Sequence, residues 1–180
     1  MLNLPNLLTL ARLAITPLAV WAILKGEFRL ALALLLVAGL TDALDGVVAR
    51  RFDCRTRTGA YLDPFADKVL LCACYLALGA AGVAPWWLVG LIFGRDLVIV
   101  AMAGGALLFT PYRHFKPSVW GKISTGAQVI AAVGLMAARA FPALPLADRA
   151  VILIWLAAAA TTWSGMDYVR QGVVRLRALR

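Results

Sequence analysis

The sequence predicts an all-α integral membrane protein, a bundle of six transmembrane helices with both termini in the cytoplasm. Three observations predict it. The chain is 63% hydrophobic, with a mean hydropathy of +0.85 and 15% charged residues, far more apolar than an ordinary soluble domain. Its apolar residues fall into six stretches, at about 5–24, 30–50, 59–83, 86–109, 119–140 and 147–170, and a bilayer core takes roughly 20 helical residues to cross. The basic residues also sort by side. With six spans, eleven of the eighteen Lys and Arg fall at the termini and in the loops after the second and fourth helices, and four fall on the opposite side. That asymmetry places the richer side in the cytoplasm.

These spans use nearly the whole chain, so a single membrane domain over residues 1–180 is expected, with short loops. Residues 1–24 lack a basic leader and a small-residue cleavage site and read as a retained first helix. The net charge of +9 is a topology signal that also attracts anionic lipid headgroups. Nothing else in the sequence supports a nucleic-acid partner.

In the first helix, Pro5 suits the opening turn, and Asn6, Thr9 and Arg12 follow at i, i+3, i+6 on one broad face. Arg12 either meets an anion inside the bundle or snorkels to the cytoplasmic interface. The second helix runs from an uncharged stretch, 31–41, into Thr41, Asp42, Asp45, Gly46, Ala49 and Arg50. At about 100° per residue, positions 42, 45, 46 and 49 share one face. Two carboxylates thus lie beside two residues that let a planar group approach the backbone.

After the arginine-rich loop RRFDCRTRT, Gly59, Asp63 and Asp67 stand at i, i+4, i+8 on one face of the third helix, ahead of an uncharged run over 69–84. Cys72 and Cys74 within that run point about 200° apart on a helix and suit packing, not metal binding. The fourth helix opens on Trp86 and Trp87, belt residues for the outer interface. It carries Arg95 and Asp96 several residues inside an apolar run. Arg95 either pairs with Asp96 or, since neighbours in sequence face different ways, with a partner elsewhere, or it binds an acceptor phosphate. The fifth begins KPSVWGKISTGAQ, with Lys122 near the cytoplasmic rim as a further anion ligand. The sixth is long and rich in small residues, with Thr161 and Thr162 on a packing face. His114 is a solvated loop histidine.

The chemistry concentrates at the second and third helices. Four of the chain's nine acidic residues, Asp42, Asp45, Asp63 and Asp67, stand within 26 residues, between membrane-length apolar runs. Acids so placed are costly and mark a site. Four carboxylates together need cations. Oxygen-only ligands favour Mg²⁺ or Mn²⁺ over Zn²⁺, and two such ions are the usual apparatus for displacement at phosphorus. The alternative is a structural ion-pair cluster with Arg12, Arg50, Lys68 and Arg95.

The run DALDGVVAR, eight residues, then GAYLDPFAD resembles the signature of the CDP-alcohol phosphatidyltransferase family, D-x-x-D-G-x-x-A-R-x(8)-G-x-x-x-D-x-x-x-D, at every fixed position. NLPNLLTLARL is similar to the family's first helix, and the six-span plan extends the resemblance over most of the chain. It implies an enzyme of phospholipid biosynthesis that attacks CDP-diacylglycerol with an alcohol and releases CMP. Such an enzyme uses two divalent cations, Mg²⁺ or Mn²⁺, and forms a homodimer in the bacterial inner membrane with its active site facing the cytoplasm. Carried over by motif position, Asp42, Asp45 and Asp63 hold the metals. Asp67 completes the cluster and takes the proton from the acceptor hydroxyl. Gly46, Ala49 and Gly59 admit the cytidine and its phosphates, Arg50 binds phosphate, and Asn6 and Thr9 join the CDP-binding set.

The basic groups Arg95 and Lys122 favour an acceptor that already bears phosphate, either glycerol 3-phosphate or phosphatidylglycerol, with inositol phosphate as a further alternative. GRD in the fourth helix and KPSVWGKISTGAQ in the fifth are similar to the branch that uses phosphatidylglycerol. Two readings from other classes are weaker. An intramembrane Mg²⁺-dependent prenyltransferase would separate its acidic motifs, and a cation transporter would spread its acids along a path through the bilayer.

Overall fold

A computed structural model of the chain describes the backbone of residues 4–52, 59–109 and 118–177, and the side chains of 11–41, 66–102, 118–146 and 148–172. The described residues form six α-helices and no strand: α1 Leu4–Leu24, α2 Phe28–Phe52, α3 Gly59–Ala80, α4 Trp86–Phe109, α5 Val119–Ala140 and α6 Ala147–Arg177. Each coincides with one of the six apolar stretches. A helix of 22 residues, the length of α3 and α5, extends about 33 Å. Among the described residues, Val119–Ala140 and Asp148–Gly172 are long and apolar enough to cross a membrane; Ala11–Leu24 and Phe28–Thr41 are shorter apolar helices.

Two glycines set the helix ends. Gly26 has φ +78° and Gly82 φ +66°, a left-handed conformation that costs a residue with Cβ about 1–2 kcal/mol. At the end of α1, Glu27 N–H donates to Ala22 C=O at 2.9 Å and Gly26 N–H to Ile23 C=O at 3.1 Å. At the end of α3, Val83 N–H donates to Leu78 C=O at 2.8 Å and Gly82 N–H to Gly79 C=O at 3.1 Å. Both are Schellman closures that satisfy the last carbonyls and reverse the chain. They explain why α3 stops at Ala80 although the apolar run continues to residue 83.

The chain divides into two compact units. The first comprises Met1–Ala84 and Leu135–Leu146. Within it α1 packs on both α2 and α3, through a core that includes Ala19, Ala22, Ile23, Leu71, Tyr75 and Leu78. Arg29, at the start of α2, donates from Nε to the Ala140 carbonyl at 3.1 Å and lies 5.5 Å from the centroid of the Phe141 ring. It thereby satisfies an orphan carbonyl at the end of α5.

The second unit comprises Pro85–Gly134 and Ala147–Arg180. Here α4 packs on α6, and Trp87 stacks on Trp155 with ring centroids 5.2 Å apart. Beside an apolar core that includes Leu88, Val89, Ile92 and Ala157, it buries polar groups and exposes large apolar ones. Ser124, Gln128, Thr161 and Ser164 are fully buried, whereas Leu97 is 70% exposed, Val100 67% and Trp155 64%. The buried polar groups answer one another across α5 and α6. Gln128 Nε2 donates to Thr161 Oγ1 at 3.0 Å and to Ser124 Oγ at 3.3 Å, and Thr161 donates to the Ala157 carbonyl at 2.6 Å. Hydrogen bonds of this kind couple α5 to α6 in addition to their apolar packing. Thr161 is therefore a bonding member of the packing face, while Thr162 is exposed and donates within its own helix, to Ala158 C=O at 2.9 Å.

Candidate active site

Asp42, Asp45, Gly46, Ala49 and Arg50 lie on α2, and Gly59, Asp63 and Asp67 on α3, with Asn6 and Thr9 on α1. The helical backbone therefore realises the i, i+3 spacing of Asp42 and Asp45 and the i, i+4 spacing of Asp63 and Asp67 on single helix faces. The side chains of Asn6, Thr9, Asp42, Asp45, Gly46, Ala49, Arg50, Gly59 and Asp63 lie outside the described residues. Among the described residues no three His, Cys, Asp or Glu gather as a metal-binding group.

Asp67 is described, and its surroundings are specific. Nη1 of Arg12 donates to Oδ1 of Asp67, forming an ion pair between α1 and α3. The Arg12 side chain is 3% exposed and that of Asp67 45%. Of the two fates open to Arg12, the structure has the anion inside the bundle. Its helix is held one turn on by Thr16, whose hydroxyl donates to the Arg12 carbonyl at 3.0 Å. A buried guanidinium is tolerable only when paired, so the last acid of the signature is tied to the helix that packs on both α2 and α3.

A second charged group lies in the other unit. Arg95 Nη1 donates to Asp96 Oδ1 at 2.9 Å, while Nη2 and Nε donate to Ser164 Oγ at 2.8 and 3.3 Å. Its guanidinium carbon lies 5.6 Å from the centroid of the Tyr168 ring. Opposite facing of neighbouring residues did not prevent the Arg95–Asp96 pair. The arginine side chain is long enough to curl back along its helix, and it reaches a partner on α6 as well.

Gly121 on α5 makes room for this arrangement. A Cβ there would stand 2.9 Å from the Tyr168 hydroxyl and 3.2 Å from Arg95 Nη2. Ser118, just before α5, accordingly donates its backbone N–H to the Tyr168 hydroxyl at 3.1 Å and its side-chain hydroxyl to Asp167 Oδ2 at 2.5 Å. Gln171 Nε2 donates to the same oxygen at 2.8 Å. Lys122 is exposed in the first turn of α5 and has no ion pair among the described residues. Arg95 thus sits in a built polar setting and Lys122 on an open surface.

Sequence reasoning missed Ser118, Ser164, Asp167 and Tyr168. Only Ser118, immediately ahead of an apolar helix, carried a local signal, that of an N-cap residue. The other three are ordinary polar residues on a small-residue helix, and only the packing reveals their partners.

Comparison with known proteins agrees with the signature. The model of the family described as CDP-alcohol phosphatidyltransferase matches residues 2–163. The chain is 32% identical to a Bacillus subtilis protein named CDP-diacylglycerol–glycerol-3-phosphate 3-phosphatidyltransferase, covering 93% of this chain and 94% of that protein. It is 32% identical to a Mycobacterium tuberculosis protein named "Probable phosphatidylglycerophosphate synthase", covering 99% and 85%. It is also 32% identical to the rat protein named cardiolipin synthase (CMP-forming), covering 89% of this chain and 58% of that protein. The chain thus spans about half the length of its animal relatives and most of its bacterial ones. A match over residues 2–163 leaves little of the sequence outside it, and the chain belongs to the CDP-alcohol phosphatidyltransferase family.

Proposed function

We propose that this protein transfers the phosphatidyl group of CDP-diacylglycerol to the hydroxyl of a phosphate-bearing glycerol acceptor, releasing CMP. The observation that carries the proposal is the complete signature laid on two helices, α2 and α3, with its last acid, Asp67, tied to Arg12 of the helix that packs on both. The names of the bacterial and animal relatives supply the two candidate acceptors, glycerol 3-phosphate and phosphatidylglycerol.

In this reading Asp42, Asp45, Asp63 and Asp67 hold two Mg²⁺ or Mn²⁺ ions. The donor set supports that choice: all four groups are carboxylates, hard oxygen donors. Asp67 is also 45% exposed while its pairing with Arg12 fixes its direction, so it is open to a ligand without being free to wander. The ions, when bound, neutralise charge on the diphosphate of the donor. The protein's own groups do the rest. Arg50 binds phosphate, and Gly46, Ala49 and Gly59 admit the cytidine diphosphate close to the backbone, beside Asn6 and Thr9. Asp67 accepts the proton of the acceptor hydroxyl, the acceptor oxygen bonds to the phosphorus that carries diacylglycerol, and the bridge to CMP breaks. Phosphoryl transfer of this kind chiefly requires positioning and charge compensation. Arg95 and Lys122 bind the acceptor's phosphate.

The setting belongs to the same proposal: six spans in a bacterial inner membrane, both termini and the aspartates at the cytoplasmic face, and a homodimer. The eleven-to-four distribution of basic residues supports the orientation. The exposed Leu97, Val100 and Trp155 against buried Gln128 and Thr161 support a lipid surround. There, a lipid substrate keeps its tails in the bilayer while its nucleotide stays in water.

The test is CMP release by the purified protein from CDP-diacylglycerol with Mg²⁺ or Mn²⁺, run in parallel with glycerol 3-phosphate, phosphatidylglycerol and inositol phosphate. Release with a glycerol-phosphate acceptor supports the proposal. Release with inositol phosphate alone moves the enzyme to another branch of the family. Turnover of a prenyl diphosphate in place of any CDP-lipid would replace the reading altogether.

A further inference from the structure

Stability alone does not account for Arg12. Its side chain is 3% exposed, and a buried ion pair is often no more stabilising than well-packed apolar side chains of similar volume. The same helix packs through Ala19, Ala22 and Ile23, all fully buried. A further apolar residue would have served packing as well as an arginine.

The placement of Arg12 is specific to one acid. α1 packs on both α2 and α3, the two helices that carry the signature. Ala66 and Leu70, on either side of Asp67 in α3, are buried, so the backbone bearing the acid is anchored in the core. On α1, the Thr16 hydroxyl holds the Arg12 carbonyl at 3.0 Å. Both partners thus spring from held backbone, and Arg12 Nη1 donates to Oδ1 of Asp67.

A carboxylate can meet a divalent ion through one oxygen or through both. Ca²⁺ takes about six to eight oxygens at roughly 2.3–2.6 Å and accepts bidentate carboxylates, whereas Mg²⁺ demands a near-octahedral shell at roughly 2.0–2.1 Å. Mn²⁺ shares the octahedral oxygen preference. The guanidinium of Arg12 cannot shed its charge. Standing at Oδ1, it repels a dication that would share that oxygen, and binding through Oδ2 alone is favoured.

We propose that Arg12 is a positioning residue that confines Asp67 to one-oxygen coordination through Oδ2, and so selects Mg²⁺ and Mn²⁺ against Ca²⁺. The inference rests on the carboxylate-held metal centre proposed above and names the residue that sets its cation preference. Arg12 acts through Asp67.

The experiment uses the whole purified protein in detergent. Mn²⁺ binding is read from the electron paramagnetic resonance of the unbound ion, and Ca²⁺ affinity from displacement of bound Mn²⁺. Arg12→Gln keeps a polar side chain and removes the charge. It is expected to raise the ratio of Ca²⁺ to Mn²⁺ affinity about tenfold, the lower end of the effect of a residue that orients a metal ligand. Arg12→Lys keeps the charge without the planar fork, and its ratio is expected to fall between the two. A merely structural partner would weaken both ions alike, so an unchanged ratio in Arg12→Gln overturns the proposal.

A second measurement needs no Arg12 variant. The infrared difference between wild type and Asp67→Asn, both with saturating Mg²⁺, isolates the Asp67 carboxylate bands. Widely separated asymmetric and symmetric stretches are expected for one-oxygen coordination, and the narrow separation of two-oxygen coordination would overturn the proposal. Wild-type protein that binds no Mn²⁺ overturns the metal centre itself and this inference with it. Mn²⁺ binding with an unchanged ratio overturns the role of Arg12 alone.

Discussion

Arg12 on α1 and Asp67 on α3 form an ion pair in which the cation is buried and the carboxylate is half open, with side-chain exposures of 3% and 45%. The asymmetry distinguishes the pair from a structural salt bridge closed on both sides: one partner is fixed and the other is presented. Arg12→Ala removes the fixing group but leaves Asp67 partly hydrated, so the stability lost is on the order of 1–2 kcal/mol, below that for a fully buried pair. Arg12→Lys keeps the charge and loses the planar fork, and is expected to fall between Ala and wild type in both unfolding temperature and turnover. Wild-type unfolding and turnover in Arg12→Ala would remove the pair from the account.

Asp67→Asn keeps the shape of the side chain and abolishes its capacity to take a proton. Turnover is expected to fall at least about 10²-fold, the usual contribution of a positioned base, while CDP binding, measured by calorimetry, changes little. Near-normal turnover in this variant would exclude Asp67 as the base.

Gly121→Ala inserts a methyl group 2.9 Å from the Tyr168 hydroxyl and 3.2 Å from Arg95 Nη2. The Arg95 end is flexible and swings away, while the Tyr168 ring, whose Cε2 also lies 3.3 Å from the added carbon, shifts by a few tenths of an ångström. The displaced Arg95 is expected to raise the acceptor KM about tenfold and leave the donor KM unchanged. Arg95→Ala should shift the same constant further. Equal effects of Arg95→Ala on donor and acceptor would take Arg95 out of the acceptor site.

Thr161 is fully buried and joins Gln128 on α5 at 3.0 Å. Thr161→Val keeps the shape and removes the hydroxyl, at an expected cost of about 0.5–2 kcal/mol for an interhelical hydrogen bond in an apolar bundle. Thermal unfolding in detergent measures it, and an unchanged unfolding temperature would show that the buried polar trio does not couple α5 to α6.

The helices were legible because apolar runs of about 20 residues admit little else; the described ends fall within three residues of those runs except at α6, which runs on past residue 170 to Arg177. Gly82 shows why the boundary of α3 was less so: hydropathy continues to residue 83, but the left-handed glycine ends the helix first. The acidic cluster was legible because Asp42, Asp45, Asp63 and Asp67 keep helical spacing within one short stretch, and the family signature by resemblance at its fixed positions. The setting of Arg95 was not. Its partners Ser164 and Tyr168 lie about 70 residues away on α6, and no local pattern marks a serine as the acceptor of a distant guanidinium.

The most direct measurement is CMP release from CDP-diacylglycerol and either glycerol 3-phosphate or phosphatidylglycerol before and after chelation of divalent cations, followed by re-addition of Mg²⁺ or Mn²⁺. The account predicts release that falls to background on chelation, returns with either ion, and does not return in Asp67→Asn. Release that survives chelation, or that Asp67→Asn sustains, would contradict a carboxylate-held metal centre on α2 and α3 as the seat of phosphatidyl transfer.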